Sequence, residues 1–312
     1  MIDPAPLLAL ALDAAFGWPE FLYRHIGHPV GLFAQFLNRA ARRGNIASHS
    51  FARRRGAGII AMLILLLLVI STATALEHGA QIWLGAYAPF AIALLAWPGL
   101  AQRSLYTHVR DVAQALEQGG LAAARAAVGK ICGRDTQALD RHGVARAAIE
   151  SLAESLSDAV VAPLFWFLIG GLPGLWAYKA INTADSMIGH KDAEWRAFGW
   201  AAARADDIAN LLPARLSGLL ICLAGMSGWR IMWGHASRHA SPNSGWPEAA
   251  MAGALKLRLA GPATYDGILH HKRWIGQGRS DATPAQLRLA LRLYIRSLIL
   301  LWLLVGAYLW AQ

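Results

Sequence analysis

The sequence predicts an all-α, polytopic α-helical integral membrane protein with a cytoplasmic helical insertion. Of its 312 residues, 56% are hydrophobic and only 15% are charged, whereas soluble domains carry about 25% charged residues. Residues 57–76 contain no charged side chain, and this length matches the roughly 20 apolar residues that a helix needs to cross a bilayer. We find no strand-like alternation long enough to form a sheet. Membrane helices joined by cytoplasmic segments are therefore expected.

The charge and the aromatic content fit the same class. The chain has 29 Lys and Arg against 19 Asp and Glu, together with 13 Trp residues of the kind that favour membrane interfaces. We expect a lipid bilayer as its partner and no nucleic acid. The two cysteines, Cys132 and Cys222, form no CxxC pair, so neither a disulfide framework nor a zinc site is expected.

The first segments are assigned from charge and apolar length. Residues 1–56 are predicted as an N-terminal helix followed by a basic cytoplasmic segment. Residues 38–55 hold six arginines and no acid, which places them in the cytoplasm by the positive-inside rule. Residues 57–100 are predicted as a transmembrane hairpin, whose second span is 80–100 and whose tight turn is 77–79.

The rest of the chain is predicted to enter the membrane in two regions, 159–229 and 297–312. Residues 101–158 are predicted as a cytoplasmic helical unit, whose third helix starts near Thr136 and runs into the membrane. Residues 159–229 are predicted to hold broken membrane segments at 159–181 and 208–229, because the glycines and proline of 170–174 interrupt the first. The last two segments are a basic cytoplasmic stretch, 230–296, and a C-terminal transmembrane helix, 297–312.

Three carboxylates recur on the third helix of the cytoplasmic unit. Glu150, Glu154 and Asp158 follow one another at every fourth residue, which places them on one helix face. A solvated acidic face with Arg146 as its partial counterion is one interpretation. The other is a site for Mg²⁺, because Asp158 adjoins the membrane, where a carboxylate without a cation is costly.

Two further polar clusters flank the broken membrane segments. Each could be structural, as a helix cap or as an acid favoured by a helix dipole. Ionisable residues inside a membrane are nevertheless functional candidates by default. The first cluster holds Lys179, Asn182, Asp185 and Ser186, and the second holds Asp206, Asp207 and Asn210 and leads to Arg215.

Common catalytic motifs are absent from the sequence. It contains no GxxxxGK[ST], HExxH or GxSxG pattern. Residues 56–61 match GxGxxA, but they follow arginines and open a transmembrane run, so we interpret them as helix packing. His28 and the pair His270 and His271 could bind metal or transfer protons, although lone histidines in loops usually do neither.

Short polar motifs follow one another in order along almost the whole chain. They are Leu12-Asp13 with Gly17 and Pro19, His28-Pro29-Val30, Gly133-Arg134-Asp135-Thr136, Arg146 with Glu150-Ser151 and Glu154, Asp158 with Pro163, Asn182 with Asp185-Ser186-Met187, Asp206-Asp207 with Asn210, Pro213 with Arg215, and Pro242-Asn243 with Gly245 and Pro247-Glu248. Together these motifs resemble one family, the cobalamin-biosynthesis CobD/CbiB family of adenosylcobinamide-phosphate synthases. Two positions depart from the family pattern, since Ser155 stands where Asn is expected and Trp18 where Asp is expected.

The resemblance implies an ATP-dependent carbon–nitrogen ligase of the bacterial inner membrane. Such an enzyme joins the free propionate of (adenosyl)cobyric acid to the amine of aminopropanol or of its phosphate, with ATP and Mg²⁺. A homo-oligomer, or a complex with other cobalamin-assembly membrane enzymes, is a possible assembly. The implied roles are catalysis for Glu150, Asp158 and Asp185, with Asp185 facing the amine, ATP phosphate binding for Lys179 and Arg215, substrate binding for His28, Asn182, Ser186 and Asn243, and metal binding for Glu154, Asp206, Asp207 and Asn210.

Two alternatives remain open at this point. One is a non-enzymatic inner-membrane sensor of the AmpE type, and the other is a transporter with broken helices. Full spans at 159–181 and 208–229 would put the segment between them outside, where ATP is absent. We therefore expect a re-entrant pair with the break near mid-bilayer and a polar cavity open to the cytoplasm, with the corrinoid at its mouth. The cavity would be lined by Asp158, Asn182, Asp185, Asp207 and Arg215.

Overall fold

The computed structural model describes residues 3–265 and 267–311, and most of them are helical. The prediction of an all-α fold is confirmed. The helices are Ala5–Phe16 (α1), Glu20–Ile26 (α2), Val30–Gly44 (α3), Phe51–Leu84 (α4), Ala88–Ala96 (α5), Gln102–Gln114 (α6), Gly120–Val128 (α7), Arg141–Leu156 (α8), Ala162–Ile188 (α9), Trp200–Ala209 (α10), Leu211–Gly225 (α11), Trp229–His235 (α12), Gly245–Leu255 (α13) and Pro284–Trp310 (α14). Two π-helical turns, Ala115–Gly119 and Ser157–Val161, follow α6 and α8.

Membrane-spanning length is met by several of the described helices. Three stretches hold helices that are long and apolar enough to cross a bilayer, within Phe51–Val128, Arg141–Ile188 and Pro284–Trp310. The number rises to five if two bent pairs each count as one span, Ala5–Phe16 with Glu20–Gly44 and Trp200–Ala209 with Leu211–Gly225. The chain is therefore a multi-pass membrane protein.

The chain divides into two compact units. Unit 1 comprises residues 3–101 and 162–210, and unit 2 comprises residues 102–161 and 211–311. The six segments expected from the sequence remain a prediction.

The long helix α4 corrects the expected position of the first turn. The tight turn predicted at 77–79 is wrong, because these residues lie inside α4, which continues to Leu84. The chain leaves the helix at Gly85, whose φ of 49° favours glycine. At about 1.5 Å per residue, α4 is roughly 50 Å long, more than the roughly 30 Å of a bilayer core. It is therefore longer than a bilayer core is thick.

Helix α9 is broken where the sequence predicts it. Gly170 and Gly171 leave helical geometry, and Gly171 has a φ of 60°. The two halves fold back on each other, because a Cβ on Gly174 would collide with the carbonyl of Trp166, and Ala162 and Tyr178 belong to the same buried cluster. The carboxylate of Glu77 accepts a hydrogen bond from the amide of Leu172 at 3.3 Å. Glu77 thus satisfies one of the backbone donors at the start of the second half.

The break lies close to the Glu77 end of α4 instead of near its middle. The second half of α9 starts beside Glu77, and its last residue, Ile188, packs against Ala61 and Met62. This half therefore runs antiparallel to α4. Relative to α4, the fold-back occurs toward the C-terminal end, and the expected position of the break near mid-bilayer stays a prediction.

The segment between α9 and α10 returns to the arginine end of α4. Arg54 donates hydrogen bonds to Asn45 and to the carbonyl of Glu194. The guanidinium of Arg55 lies 3.7 Å from the centre of the Trp200 ring. A Cβ on Gly58 would collide with the carbonyl of Phe198, so glycine permits this close approach. Residues 189–200 therefore lie at the same end of α4 as the basic segment that is predicted to be cytoplasmic.

Cysteine labelling can test this topology. In a Cys132→Ser background, in which the remaining native Cys222 is buried, cysteines introduced one at a time at positions 53, 186 and 192 should react with a membrane-impermeant thiol reagent only after the inner face is exposed. A cysteine in place of Trp83, which is 85% exposed at the other end of α4, is the control and should react in intact cells. Labelling of position 192 in intact cells, together with position 83, would contradict the fold-back of α9.

Unit 2 packs α8 against α6, α7, α13 and α14. Helix α8 begins at Arg141 and not near Thr136, because Asp140 caps it by accepting the amide of Gly143 at 2.6 Å. The predicted C-terminal span is part of the longer helix α14, which opens with a capping box at Thr283. Two short antiparallel ribbons contain Leu259–Ala260 (β1) with Trp274–Ile275 (β4), and Ala263–Tyr265 (β2) with Ile268–His270 (β3).

Candidate functional site

A polar cavity of about 140 Å³ lies in unit 2 beside α8. Glu150 and Glu154 face it from α8, one turn apart. Glu248 faces it from the first turn of α13, where an acid is favoured by the helix dipole. The cavity therefore gathers three carboxylates. The remaining wall includes Cys132, Arg134, Ser151, His239, Gly261 and Lys272.

Glu150 is buried and fully bonded. It forms an ion pair with Arg134, whose side chain is 14% exposed. Its other oxygen accepts the backbone amide of Ala260 at 2.9 Å. The interpretation of a solvated acidic face is therefore wrong for Glu150. Its expected counterion, Arg146, donates to the carbonyl of Ser280 instead.

Glu154 lies at the exposed side of the cavity. It accepts a hydrogen bond from the hydroxyl of Ser244 at 2.8 Å. Ser244 immediately precedes α13, so this bond ties the start of α13 to α8. Glu150 and Glu154 thus lie on one wall of the cavity, as their spacing of four residues predicts.

Glu248 is the least satisfied carboxylate of the cavity. The residue is 5% exposed, and its Oε1 has no hydrogen-bond partner among the described residues. Its Oε2 lies 3.7 Å from Nε2 of His239, too far for a good hydrogen bond. Burial raises the pKa of Glu248 well above its usual value, and the charges of Glu150 and Glu154 raise it further.

His239 is held in one orientation beside Glu248. Its Nδ1 accepts the backbone amide of Ser241 at 3.0 Å, so in the neutral ring the proton is on Nε2, which faces Glu248. Burial lowers the pKa of His239, with the charge of Glu154 acting in the opposite direction. A neutral imidazole and a carboxyl that resists ionisation therefore share the cavity.

Four charged or basic side chains of the cavity, those of Arg134, His239, Glu248 and Lys272, have no role assigned from the sequence. Arg134 and Glu248 stand inside motifs that carry the family resemblance, which was the only available signal for them. His239 is a lone loop histidine, and Lys272 follows β3 in a basic stretch. Neither has a periodic pattern that could have marked it.

Arg215 and Asn243 meet in unit 2. The guanidinium of Arg215 donates to the side-chain oxygen of Asn243 at 3.0 Å, and it lies 4.8 Å from the centre of the Trp246 ring. Asn243 is 4% exposed. The structure therefore brings together one residue expected to bind phosphate and one expected to bind substrate.

A second polar network lies in unit 1, between α9 and α10. The hydroxyl of Tyr178 donates to the side-chain oxygen of Asn210 at 3.0 Å, and the amide nitrogen of Asn210 donates to Asp206 at 3.0 Å. The amide nitrogen of Asn182 donates to the other oxygen of Asp206 at 3.3 Å. Three predicted site residues are thus joined in one chain of hydrogen bonds, with Tyr178 as a member that sequence reasoning missed.

Asp207 and Asp185 occupy different settings in unit 1. Asp207 forms a half-exposed ion pair with Arg204 at 3.2 Å. Asp185 is partly buried one turn from the end of α9, where a Cβ on Gly189 would collide with its carboxylate. Glycine at position 189 therefore allows the carboxylate of Asp185 to remain in place. Ser186 is exposed, and its hydroxyl donates to the carbonyl of Asn182 at 2.9 Å.

His28 and Lys179 lie in the same region of unit 1, because they interact electrostatically. The ring of Trp18 contacts His28 edge to face, with 5.4 Å between ring centres. Trp18 also donates to the carbonyl of Gly27 at 3.2 Å. The departure from the family pattern at Trp18 thus supplies a packing contact for a predicted substrate residue.

Asp158 lies in the π-helical turn that follows α8. Such turns are rare and are frequent at functional sites. Asp158 and Arg215 belong to unit 2, whereas Asn182, Asp185 and Asp207 belong to unit 1. The cavity that these five residues are expected to line stays a prediction.

The described residues contain no group of three or more His, Cys, Asp or Glu side chains arranged to hold a metal ion. In unit 1, both oxygens of Asp206 and the side-chain oxygen of Asn210 already accept hydrogen bonds. The expected metal set of Glu154, Asp206, Asp207 and Asn210 therefore stays a prediction.

Comparison with known proteins identifies the family. The chain matches the profile described as CobD/Cbib protein over residues 6–294, which is nearly its whole length. The chain belongs to the CobD/CbiB family. The resemblance of the sequence motifs to CobD/CbiB proteins is thereby confirmed, and the family is one of cobalamin biosynthesis.

CobD relatives from several bacteria align along most of the chain. The cobalamin biosynthesis protein CobD of Rhodobacter capsulatus is 46% identical over 98% of this chain and 97% of its own length. The proteins of the same name from a Sinorhizobium species and from Brucella suis biovar 1 are each 48% identical. The alignment with the Sinorhizobium protein covers 88% of both chains. The alignment with the Brucella suis protein covers 83% of this chain and 81% of the relative. No solved structure matches the chain.

Proposed function

We propose that this CobD/CbiB protein is an ATP-dependent amide ligase of cobalamin biosynthesis in the bacterial inner membrane. It would join the free propionate of (adenosyl)cobyric acid to the amine of aminopropanol or of aminopropanol phosphate, giving (adenosyl)cobinamide or its phosphate. Membership of the family supports the pathway, and the polar cavity of unit 2 supports the chemistry.

The observation that carries the proposal is the combination of acids and bases in that cavity. Amide formation from a carboxylate needs an activated acyl group and a base that takes a proton from the incoming ammonium. Burial raises the pKa of Glu248 and lowers the pKa of His239, and both shifts favour the neutral form of the side chain. Shifted pKa values of this kind are common for residues that transfer protons. Arg134 and Lys272 supply positive charge beside them.

Other functional residues are proposed from the family motifs. Glu150, Asp158 and Asp185 are candidates for catalysis, and Lys179 and Arg215 are candidates for the ATP phosphates. The positive charges of Lys179 and Arg215 would stabilise the negative charge of a phosphoryl group during its transfer. Substrate contacts are proposed for His28, Asn182, Ser186 and Asn243.

Mg²⁺ is proposed to bind together with the nucleotide. The described residues offer no closed set of metal ligands, but Mg²⁺ commonly binds through one or two carboxylates together with substrate phosphates and water. Asp207 and Glu154 are partly or fully exposed carboxylates that could serve in this way. Bound Mg²⁺ would neutralise phosphate charge.

The sensor alternative is less well supported. A sensor has no need for Glu248, whose buried and unpartnered oxygen costs stability. Retention of the acids in all three sequence clusters also favours an enzyme.

Incubation of the purified protein with cobyric acid, aminopropanol phosphate, ATP and Mg²⁺ tests the proposal. Mass spectrometry should find the amide product only when ATP is present. Absence of product with each amine form and with both adenosylated and unadenosylated cobyric acid would reject ligase activity.

Asp158→Asn and Asp207→Asn are expected to lower turnover more than tenfold without loss of folding, if these acids act on the nucleotide or its metal ion. Asp111→Asn is a matched control, because Asp111 is an exposed residue that forms an ion pair with its neighbour Arg110. Near-normal turnover in both site variants would remove them from the proposed site.

A further inference from the structure

We propose that the cavity of unit 2 binds the ammonium group of the small primary amine, with Glu248 as its partner in the carboxylate form that the bound cation stabilises. This inference rests on the proposed function, and it assigns the amine to a specific site. Three features of the cavity support this assignment, namely the bonding of its three carboxylates, its volume and the charges of its wall.

Bonding distinguishes Glu248 from the other two carboxylates. Both oxygens of Glu150 are used, by Arg134 and by the amide of Ala260. Glu154 is exposed and accepts the hydroxyl of Ser244. Glu248 alone of the three has an oxygen that is buried without a partner among the described residues. A buried acceptor of this kind is costly unless a ligand donates to it, and an ammonium group provides three donors.

The volume of the cavity limits the ligand. Pockets for drug-sized ligands measure roughly 300–1,000 Å³, whereas this cavity measures about 140 Å³. A whole nucleotide or a corrinoid is therefore too large, and a ligand of a few heavy atoms is of suitable size. A bare metal ion is disfavoured, because the described residues show no group of three ligands arranged for one.

The charges of the wall orient a small amine. Glu154 and Glu248 are carboxylates on α8 and α13, and Lys272 lines the same cavity and interacts electrostatically with Glu248. An ammonium placed at Glu248 leaves the opposite end of the ligand to be met by a cation. Lys272 is the candidate for that contact, and it would favour an amine with an anionic far end, such as a phosphate ester.

Asp185 is a competing candidate for the amine. It lies in unit 1, on α9, and its assignment comes from the family motif. The partly buried carboxylate of Asp185 already has interactions within the structure. The unpartnered oxygen of Glu248 makes the cavity of unit 2 the better supported site.

Amine binding and steady-state kinetics of the full-length protein test the inference. Glu248→Gln keeps the shape of the side chain but removes its charge, and it should raise the KM for the amine at least tenfold. The KM values for ATP and cobyric acid should change less than twofold. Glu248→Asp should retain part of the amine affinity. Glu117→Gln is the matched control, since Glu117 pairs with Arg288 outside the cavity, and it should leave all three KM values unchanged.

Calorimetry with the wild-type protein supplies a test that needs no variant to fold. Aminopropanol and its phosphate should bind in the absence of ATP, whereas propane-1,2-diol, which lacks the ammonium, should not compete. Equal binding of the diol would overturn the inference. Binding of Mn²⁺ that is lost in Glu248→Gln, measured by electron paramagnetic resonance, would also overturn it and assign the cavity to a metal.

Failure of this inference can be told apart from failure of the proposed function. If amide product forms but Glu248→Gln leaves the KM for the amine unchanged, the function stands and the amine site is wrong. If no amide forms while the amine binds in a Glu248-dependent manner, the site stands and the ligase proposal is wrong.

Discussion

Arg134→Met is expected to lower the free energy of unfolding by about 3–5 kcal/mol, the range for removal of one partner from a buried ion pair. Glu150 and Arg134 have side chains that are only 9% and 14% exposed. Without Arg134, the carboxylate of Glu150 would keep, among the described residues, only the hydrogen bond from the backbone amide of Ala260. The loss is therefore dominated by an uncompensated buried charge.

Chemical unfolding in detergent, followed by the signal of the Trp residues, measures this effect. The double variant Arg134→Met with Glu150→Gln should recover most of the lost stability, because the charge that Arg134 compensates is then absent. Arg110→Met is the control, since Arg110 and Asp111 are 44% and 56% exposed and such surface pairs contribute about 0–1 kcal/mol. Equal losses for Arg134→Met and the double variant would contradict a buried ion pair.

Glu248→Gln is expected to stabilise the protein at alkaline pH while it removes amine affinity. The pKa of Glu248 is raised above its value in the unfolded chain, first by burial and then by the charges of Glu150 and Glu154. Arg134 and Lys272 act in the opposite direction, and His239 faces the same carboxylate. The folded state therefore binds more protons than the unfolded state between these two pKa values, and stability falls as the pH rises through that window.

Glutamine does not titrate, so the stability of the Glu248→Gln variant should not fall as the pH rises through this window. Its thermal unfolding midpoint should exceed that of the wild type at pH 9, and the difference should shrink toward pH 4, close to the pKa of an unfolded Glu at about 4.3. Glu117→Gln should show no such gain at pH 9. A Glu248→Gln protein that is less stable than the wild type at every pH would show that the fold depends on the charged carboxylate.

Much of the helical architecture follows from local sequence patterns. The uncharged run at 57–76 predicts α4, and the glycines at 170 and 171 predict the break in α9. The turn at 77–79 could not be placed correctly, because Glu77 looks like a loop residue until the amide of Leu172 is known to contact it. The start of α8 was placed too early because Asp140 was not recognised as its cap. The strands have only two or three residues, too few for alternation to show.

The candidate site was predictable only in part for a similar reason. A spacing of four residues places Glu150 and Glu154 on one face of α8. Their partners Arg134, His239 and Glu248 come from loops and from another helix, and no periodicity links distant parts of a chain. Which carboxylate remains without a partner is a property of the packed structure, and it decides where the amine is proposed to bind.

Transfer of ¹⁸O is the most direct test of the proposed ligase chemistry. Phosphoryl transfer from ATP to the propionate of cobyric acid would give an acyl phosphate and ADP. If both propionate oxygens are ¹⁸O, one labelled oxygen should leave with the phosphate when the amine displaces the phosphate. ADP and ¹⁸O-labelled inorganic phosphate should then form in equal amounts with the amide. Mass spectrometry of the products from the purified protein, with the unlabelled reaction as reference, measures this transfer. Formation of amide with ¹⁸O in AMP would contradict activation by phosphoryl transfer, and ATP hydrolysis without labelled phosphate or amide would contradict the ligase itself.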